Sequence, residues 1–208
     1  MRPAATFSPA NASKGGVAKL ADIDVPEGLI ASARDGVESA RARLYAALAP
    51  TTFGLIRRLV GTQAVAEDLF QDTMVTLYEH LDAFRGDGPF GGWVRRIAVT
   101  KCLMYLRSPW HRARLQLAAG TELDIDALPA TVVPAMSPEC LDVERALATL
   151  SPTARAVVWL YEVEGYSHQE IAQSFGRTVS FSKSQLARAH RRLREWFEPQ
   201  TQGQSCTL

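Results

Sequence analysis

Acidic residues are missing from the whole stretch between Arg177 and Arg194. Other scarcities bound the chain as well. It has three cysteines, Cys102, Cys140 and Cys206, far apart and odd in number. They make neither a CxxC pair nor a disulfide framework, as expected in a reducing cytoplasm. Cys140 and Cys206 are candidate exposed thiols, but no basic neighbour within a few residues lowers either pKa, so no redox role is expected. There is no charged-then-apolar start of the kind that directs secretion, and no apolar run long enough to span a bilayer, so no membrane insertion is expected. His80, His111, His168 and His190 are isolated, and HExxH, GxSxG and metal-ligand spacings are absent. No catalytic residue, cofactor-binding residue or metal ligand is therefore assigned, and no cofactor is expected. His168 is expected simply to face solvent. Strand-like alternation and internal repeats are lacking too, which makes the chain all-α.

An excess of charge is also lacking. Lys and Arg number 23 against 22 Asp and Glu, for a net charge of +1. That balance argues against unspecific coating of nucleic acid, and directs attention to how the charge is distributed. At 208 residues and 47% hydrophobic content, the chain can build one large domain or two small ones.

Composition divides it. Residues 1–28, rich in Ala, Ser, Pro and Gly, read as a mobile extension. A helical domain over 29–114 follows. Leu29, Ala33, Val37, Ala40, Leu44 and Ala47 recur at helical steps until Pro50, which is expected to end that helix. Phe53, Ile56 and Val60 mark a second helix closing at Gly61. A third starts near Ala64, with Val65, Leu69, Leu77, Leu81 and Phe84 facing a core. Arg85 to Pro89 is a loop, and Trp93 to Arg107 a fourth helix. Residues 115–140 carry Pro129, Pro134 and Pro138 and, among charges, only acids: an acidic linker, which composition alone reads as a solvated tether. A second helical domain covers 141–198, and residues 199–208 are a tail.

The second domain holds the most informative segment. Ser151 and Pro152 suit an N-cap and first helical position. Gly165 breaks the chain, and Ser167 with Glu170 three residues on forms a capping box. Ile171, Ala172 and Phe175 give the short helix one apolar face, and Gly176 suits a left-handed C-cap. A long helix then carries Leu186, Ala189, Leu193 and Trp196 or Phe197 at helical spacing, with Lys183, Arg188, Arg191, Arg192 and Arg194 between them. A basic amphipathic helix alone is often just a solvated face. The capped short helix and turn before it make a helix-turn-helix, which points to duplex DNA.

Charge elsewhere is partitioned. Asp68, Gln71, Asp72 and Glu79 lie near one face of the third helix, opposite its apolar stripe. From Phe90 to Thr121 Arg95, Arg96, Lys101, Arg107, Arg112 and Arg114 occur with no acid. Phe90, Trp93, Tyr105 and Trp110 interleave with them. Basic groups track phosphates and aromatic faces stack unpaired bases, so this segment is a candidate surface for single-stranded nucleic acid. The alternative is that Trp93 and Tyr105 are core residues, the favoured reading for Trp93, while Phe90 and Trp110, at the helix margins, are the better candidates for exposure.

These segments, in this order, resemble the two conserved domains of an extracytoplasmic-function (ECF) sigma factor of the sigma-70 family, a bacterial transcription initiation factor. AEDLFQDTMVTLYEHLDAF resembles the family's AEDLxQExFxxxW segment, which binds the polymerase clamp. GPFGGWVRRIAVTKCLMYLR resembles FxxWLxxIARNxxxDxxR, which melts and reads the −10 element. LSPTARAVVWLYEVEGYSHQEIAQSFG resembles LPxxxRxVxxLxxxEGxSxxEIAxxLG, which opens the −35-reading domain. The resemblance implies two small helical domains, a sigma2-like bundle and a sigma4-like helix-turn-helix, joined by a flexible acidic linker that threads the polymerase cleft.

It also implies partners and sites. Asp68, Gln71, Asp72 and Glu79 would dock on RNA polymerase core enzyme, whose β′ clamp and β flap are the expected contacts. Phe90, Trp93, Arg95, Arg96, Thr100, Lys101 and Arg107 would melt and read the −10 strand. Arg177, Lys183, Ser184, Gln185, Arg188, Arg191 and Arg192 would bind the −35 duplex, Lys183 and Ser184 at phosphates, Gln185 and Arg188 at base edges. Many members of the family also have an anti-sigma factor, which makes one a candidate partner whose presence this sequence does not record.

The sequence departs from the pattern at three places. The family's Asn and Asp fall at Thr100 and Met104, which puts −10 reading by those positions in question. SFSKSQ replaces GTVKSR, so that Phe181 either lies under the helix N-terminus or touches a thymine methyl. Two rival readings follow: a helix-turn-helix regulator acting without polymerase, and a module that binds polymerase or an anti-sigma protein without initiating transcription.

Overall fold

The computed structural model describes residues 19–108 and 138–197, with the side chains of 138–142 excepted. All regular elements among them are helical. The first domain comprises α1 (Glu27–Arg34), α2 (Glu38–Val60), α3 (Gln63–Glu79) and α4 (Phe90–Arg107). The second comprises α5 (Pro138–Ala148), α6 (Pro152–Val158), α7 (His168–Phe175) and α8 (Val179–Phe197).

In the first domain α2 packs against α1, α3 and α4. Leu44, Leu48, Ile56, Leu59, Leu77, Val94 and Leu103 are fully buried where these helices meet. The expected break at Pro50 does not occur, and α2 runs through it. A mid-helix proline costs about 3 kcal/mol. Leu44 and Leu48 before it and Leu55 and Ile56 after it are buried, and each such side chain contributes roughly 1.5–3 kcal/mol. Continuous burial on both sides outweighs the local defect. The true break is upstream, at Gly36 (φ +83°), which separates α1 from α2 and leaves Val37 46% exposed rather than inward.

Composition also misplaces the start of the packed chain. Residues 20–22 form a 3-10 turn against α4, with Leu20 and Val25 buried. Gly91 explains the docking: a Cβ there would overlap the Leu20 carbonyl oxygen. The Gly91 backbone is thus a seat for residues 19–28, which belong to the domain rather than to a mobile extension.

In the second domain the local signals hold. Ser151 Oγ accepts the Ala154 N–H at 3.3 Å, with Pro152 in the first turn. α6 continues through a π-helical turn over Trp159–Val163, closed by Glu164 N–H to Trp159 O at 3.0 Å. The Ser167–Glu170 capping box opens α7, and Gly176 (φ +61°) ends it in the left-handed conformation. α8 lies across α6 and α7 and buries Ser182, Leu186 and Ala189.

Candidate nucleic-acid interface

α8 is amphipathic: Leu186 and Ala189 of its expected apolar stripe are buried on α6 and α7 and Leu193 is half-buried, but Trp196 and Phe197, at the helix end, are 38% and 52% exposed rather than inward. Lys183, Ser184, Arg188, Arg191 and Arg192 are exposed, and Gln185 is half-buried. Ser184 Oγ donates to Phe181 O at 2.9 Å, and Arg188 Nε donates to Ser184 O at 3.2 Å. Arg192 pairs with Glu195 at 3.7 Å, a solvated contact of little energetic weight. Arg177 is exposed, with its guanidinium 6.0 Å from the Phe181 ring centroid. Phe181 is half-buried against Phe175, at 5.8 Å between centroids. His168 is not simply solvent-facing: it stacks on Tyr161 at 4.4 Å, and its Nδ1 lies 3.0 Å from the buried Ser182 Oγ. That contact ties the start of α7 to α8 and so fixes the angle between the two helices of the motif.

The basic surface of α4 is arranged differently from the sequence expectation. Phe90 is 4% exposed rather than marginal. It packs edge-on to Phe84 at 4.9 Å and lies 5.6 Å from Trp93, closing an aromatic cluster at the helix start. The buried ring anchors the first turn by apolar packing, and Pro89, which precedes the helix, offers no side-chain cap. Trp93 and Tyr105 are half-buried against the core, as expected. Arg96, Thr100, Met104 and Arg107 form an exposed stripe at helical spacing, with Met104 64% exposed. Lys101 turns away from it and pairs with Asp72 of α3 at 3.2 Å.

Beside this stripe sits the second domain. Arg95 donates to the Glu164 carbonyl at 2.9 Å and meets its carboxylate at 3.4 Å. The Glu164 side chain is 3% exposed. The Arg95 guanidinium also covers the Tyr166 ring at 5.0 Å. Burial pushes the Tyr166 phenol up from its ordinary pKa, and Arg95 partly opposes that. At the far end of α4, Arg107 Nη1 donates to Ser174 O at 3.1 Å. Between these two contacts, a cleft of about 130 Å³ is lined by Arg96, Thr100, Met104 and Arg107 on one side and Tyr166 and Ser174 on the other.

A second contact joins α2 to α5 and α6. Arg58 Nε donates to Glu144 at 3.0 Å and its guanidinium covers the Trp159 ring at 4.9 Å, while Arg57 lies 3.7 Å from Glu144. Arg155 donates to Leu147 O at 2.9 Å with its guanidinium against Gly61, where a Cβ would overlap it. None of Arg58, Glu144, Trp159 or Glu164 was legible as a site residue. Only a charged group's burial marks it, and burial by a separate domain has no local sequence signal.

The acidic face of α3 is as expected in position. Asp68, Gln71, Asp72 and Glu79 are all exposed, with Val75 between them 54% exposed. Val65, Ala66, Met74 and Leu77 occupy the opposite, buried face. Trp110, His111, Arg112, Arg114, the acidic segment 115–137, the Cys140 side chain, Cys206 and residues 1–18 lie outside the described residues. Among the described residues no helix is long and apolar enough to cross a membrane.

These features define an all-α, two-domain protein in which a helix-turn-helix module presents a basic helix. Residues 44–112 match the family model described as Sigma-70 region 2, and residues 140–193 that described as Sigma-70, region 4. The chain is 30% identical over 162 residues to the RNA polymerase sigma factor CarQ of Myxococcus xanthus, which covers 78% of this chain and 91% of CarQ. It is 31% identical over 156 residues to the ECF RNA polymerase sigma factor SigE of Mycolicibacterium smegmatis, covering 71% of this chain but only 58% of SigE. Among solved structures, the sigma factor RpoE of Bartonella quintana, in complex with the anti-sigma factor NepR, shares the fold. It gives a TM-score of 0.52 at 22% identity, over 74% of this chain and 94% of that one. The chain belongs to the sigma-70 family and, within it, to the ECF sigma factors.

Proposed function

We propose that the chain binds RNA polymerase core enzyme and directs it to a limited set of promoters. In this reading α3 docks on the polymerase clamp through Asp68, Gln71, Asp72 and Glu79. α8 reads the −35 duplex. Gln185 and Arg188 contact base edges, and Arg177, Lys183, Ser184, Arg191 and Arg192 hold phosphates. α4 captures the melted −10 strand through Arg95, Arg96, Thr100, Lys101 and Arg107, which offsets the cost of opening the duplex. Phe90 has no part in this capture beyond shaping the helix start, because its ring is buried; Trp93, half-buried beside it, keeps part of its surface accessible to the strand. The polymerase does the bond-making.

The observation that carries this reading is the pairing, in one chain, of an exposed basic recognition helix with an exposed acidic face on a separate domain. A DNA-binding regulator has use for the first and not for the second. The test is transcription reconstituted from bacterial core polymerase, this protein and a genomic fragment library, with transcript 5′ ends sequenced. Discrete starts sharing two upstream elements, lost when the protein is omitted, are expected. Polymerase binding without any start would favour a non-initiating module, and binding to duplex DNA alone would favour an ordinary regulator.

A further inference from the structure

We infer that Met104 is a base-contacting residue of α4, which selects an unpaired thymine by apolar contact with its ring methyl group. The inference deepens the strand-capturing role proposed above for α4 and rests on that reading for its setting. Met104 is 64% exposed, more than any other large apolar side chain among the described residues. Val99, Cys102, Leu103 and Leu106 supply the buried side of the same stretch of helix, and Met104 lies outside the core they join. An unbranched side chain is well tolerated at an exposed helix position. That tolerance does not account for an apolar group set in the middle of a polar, basic surface.

Position is the first support. Arg96, Thr100, Met104 and Arg107 follow one another at steps of four, four and three residues, which puts them along one face of α4. At about 1.5 Å per residue, Arg96 and Arg107 stand roughly 16 Å apart along the helix axis, with Thr100 and Met104 between them. All four border the cleft shared with Tyr166 and Ser174, to which Val99 and Leu103 add apolar surface. Two cations suited to phosphates therefore bracket one hydroxyl and one thioether.

Chemistry is the second support. A methionine side chain has no hydrogen to donate and its sulfur is a weak acceptor, so Met104 rewards apolar contact rather than hydrogen bonding. Of the four DNA bases only thymine carries a methyl group, which is the apolar feature that side chains read. The corresponding edges of the other bases present amino, N7 or carbonyl groups. Set against a hydrocarbon, these lose bonds they make to water. The side chain is also long and adaptable enough to follow a base that no duplex holds in place. Charge points the same way. No acid occurs between Phe90 and Thr121, so nothing at position 104 repels a phosphate held by Arg107, as a carboxylate there would. Where the family pattern has Asp, this chain has a group suited to a methyl.

Oligo(dT) and oligo(dU) differ only in that methyl group, so the pair isolates the contact. The measurement is binding of each labelled single-stranded oligonucleotide to the full chain, for wild type, Met104→Ala, Met104→Leu and Arg96→Ala. Wild type is expected to prefer oligo(dT) roughly fourfold, the effect of burying one methyl group. Met104→Ala should bring that ratio close to one by weakening oligo(dT) binding alone. Met104→Leu, apolar and of similar volume, should keep most of the preference. Arg96→Ala should weaken both oligonucleotides equally, as loss of a phosphate contact does. Circular dichroism confirms that each variant is folded; should Met104→Ala fail to fold, Met104→Gln, similar in length but polar, takes its place.

The same preference for oligo(dT) over oligo(dU) in wild type and in the folded Met104 variant overturns the inference. Failure of wild type to bind either oligonucleotide overturns it too. Reconstituted transcription separates this from the functional reading. A methyl preference that depends on Met104, with no transcript from core polymerase and wild type, would reject the sigma-factor role while leaving the thymine contact established. Transcription by wild type, with a preference indifferent to Met104, would do the reverse.

Discussion

Lys101 on α4 sets its ammonium group 3.2 Å from the carboxylate of Asp72 on α3. The two residues come from surfaces with different proposed partners, single-stranded DNA for one and polymerase for the other. Asp72 is 68% exposed in its side chain and Lys101 22%, so the pair is solvated on the acid's side and contributes about 0–1 kcal/mol to stability. Its importance is positional: it holds α3 and α4 at a shared edge. Asp72→Arg is therefore expected to weaken binding to core polymerase while leaving the thermal unfolding midpoint nearly unchanged. Asp72→Asn, which removes the charge without opposing Lys101, should show a smaller loss. Pull-down with core enzyme checks both, and undiminished binding by Asp72→Arg would reject the docking role of this face.

Gly91 and Gly92 are adjacent in α4 but have opposite surroundings. A Cβ at Gly91 would overlap the Leu20 carbonyl, whereas one at Gly92 meets nothing within 4 Å. Gly91→Ala should destabilise the first domain by about 1–3 kcal/mol through overpacking and release residues 19–28 to proteolysis. Gly92→Ala should be neutral or stabilise by up to about 1 kcal/mol, the helix-propensity difference. Urea unfolding of the two variants side by side measures the contrast.

The capping box at α7 predicts an acid response. Glu170 accepts from the Ser167 N–H at 2.8 Å and from its hydroxyl at 2.7 Å, and these bonds hold its carboxyl below the ordinary 4.5. A depressed carboxylate stabilises the fold above its unfolded pKa, and the contribution is lost as pH falls through the lower folded value. Stability of the second domain should thus drop below about pH 4.5 in wild type and less steeply in Glu170→Gln. Ser167→Ala should cost about 1 kcal/mol at neutral pH. A pH series of unfolding curves that is identical for wild type and Glu170→Gln would contradict this.

Burial pushes the Cys102 thiol up to about 12. Its side chain is fully buried in the core of the first domain. With Cys140 and Cys206 replaced by serine, the remaining thiol should resist an aromatic disulfide reagent at pH 8 and react only when the domain unfolds. Rapid labelling of the native protein would show that α4 opens locally.

Arg188 projects from α8 with its guanidinium held over Ser184, Nε donating to the carbonyl at 3.2 Å and Nη2 lying 3.5 Å from Oγ. Arg188→Ala should reduce discrimination between a promoter's −35 sequence and a scrambled one by roughly 1–3 kcal/mol if the side chain reads a base. An equal loss on both sequences would make it a phosphate contact. Electrophoretic mobility shifts with the reconstituted polymerase complex distinguish the two.

The helical character of both domains, the Ser151 and Ser167 caps, the Gly176 stop, the Leu186 and Ala189 face of α8 and the exposed acidic face of α3 are all legible in the residue order. Each of these is encoded within one or two helical turns, by hydrogen bonds and side-chain spacings that neighbouring residues complete among themselves. Tertiary structure decided the rest. Pro50 fails to break α2 because burial on both sides outweighs a local penalty. Phe90 is buried because Phe84, from the preceding loop, closes over it. Residues 19–28 are ordered because Gly91, some seventy positions later, has no Cβ to keep them out. The meeting of Arg95 with Glu164 spans 69 positions. Such contacts depend on which faces two independently formed helical bundles present to each other, and no periodicity in either segment records that choice.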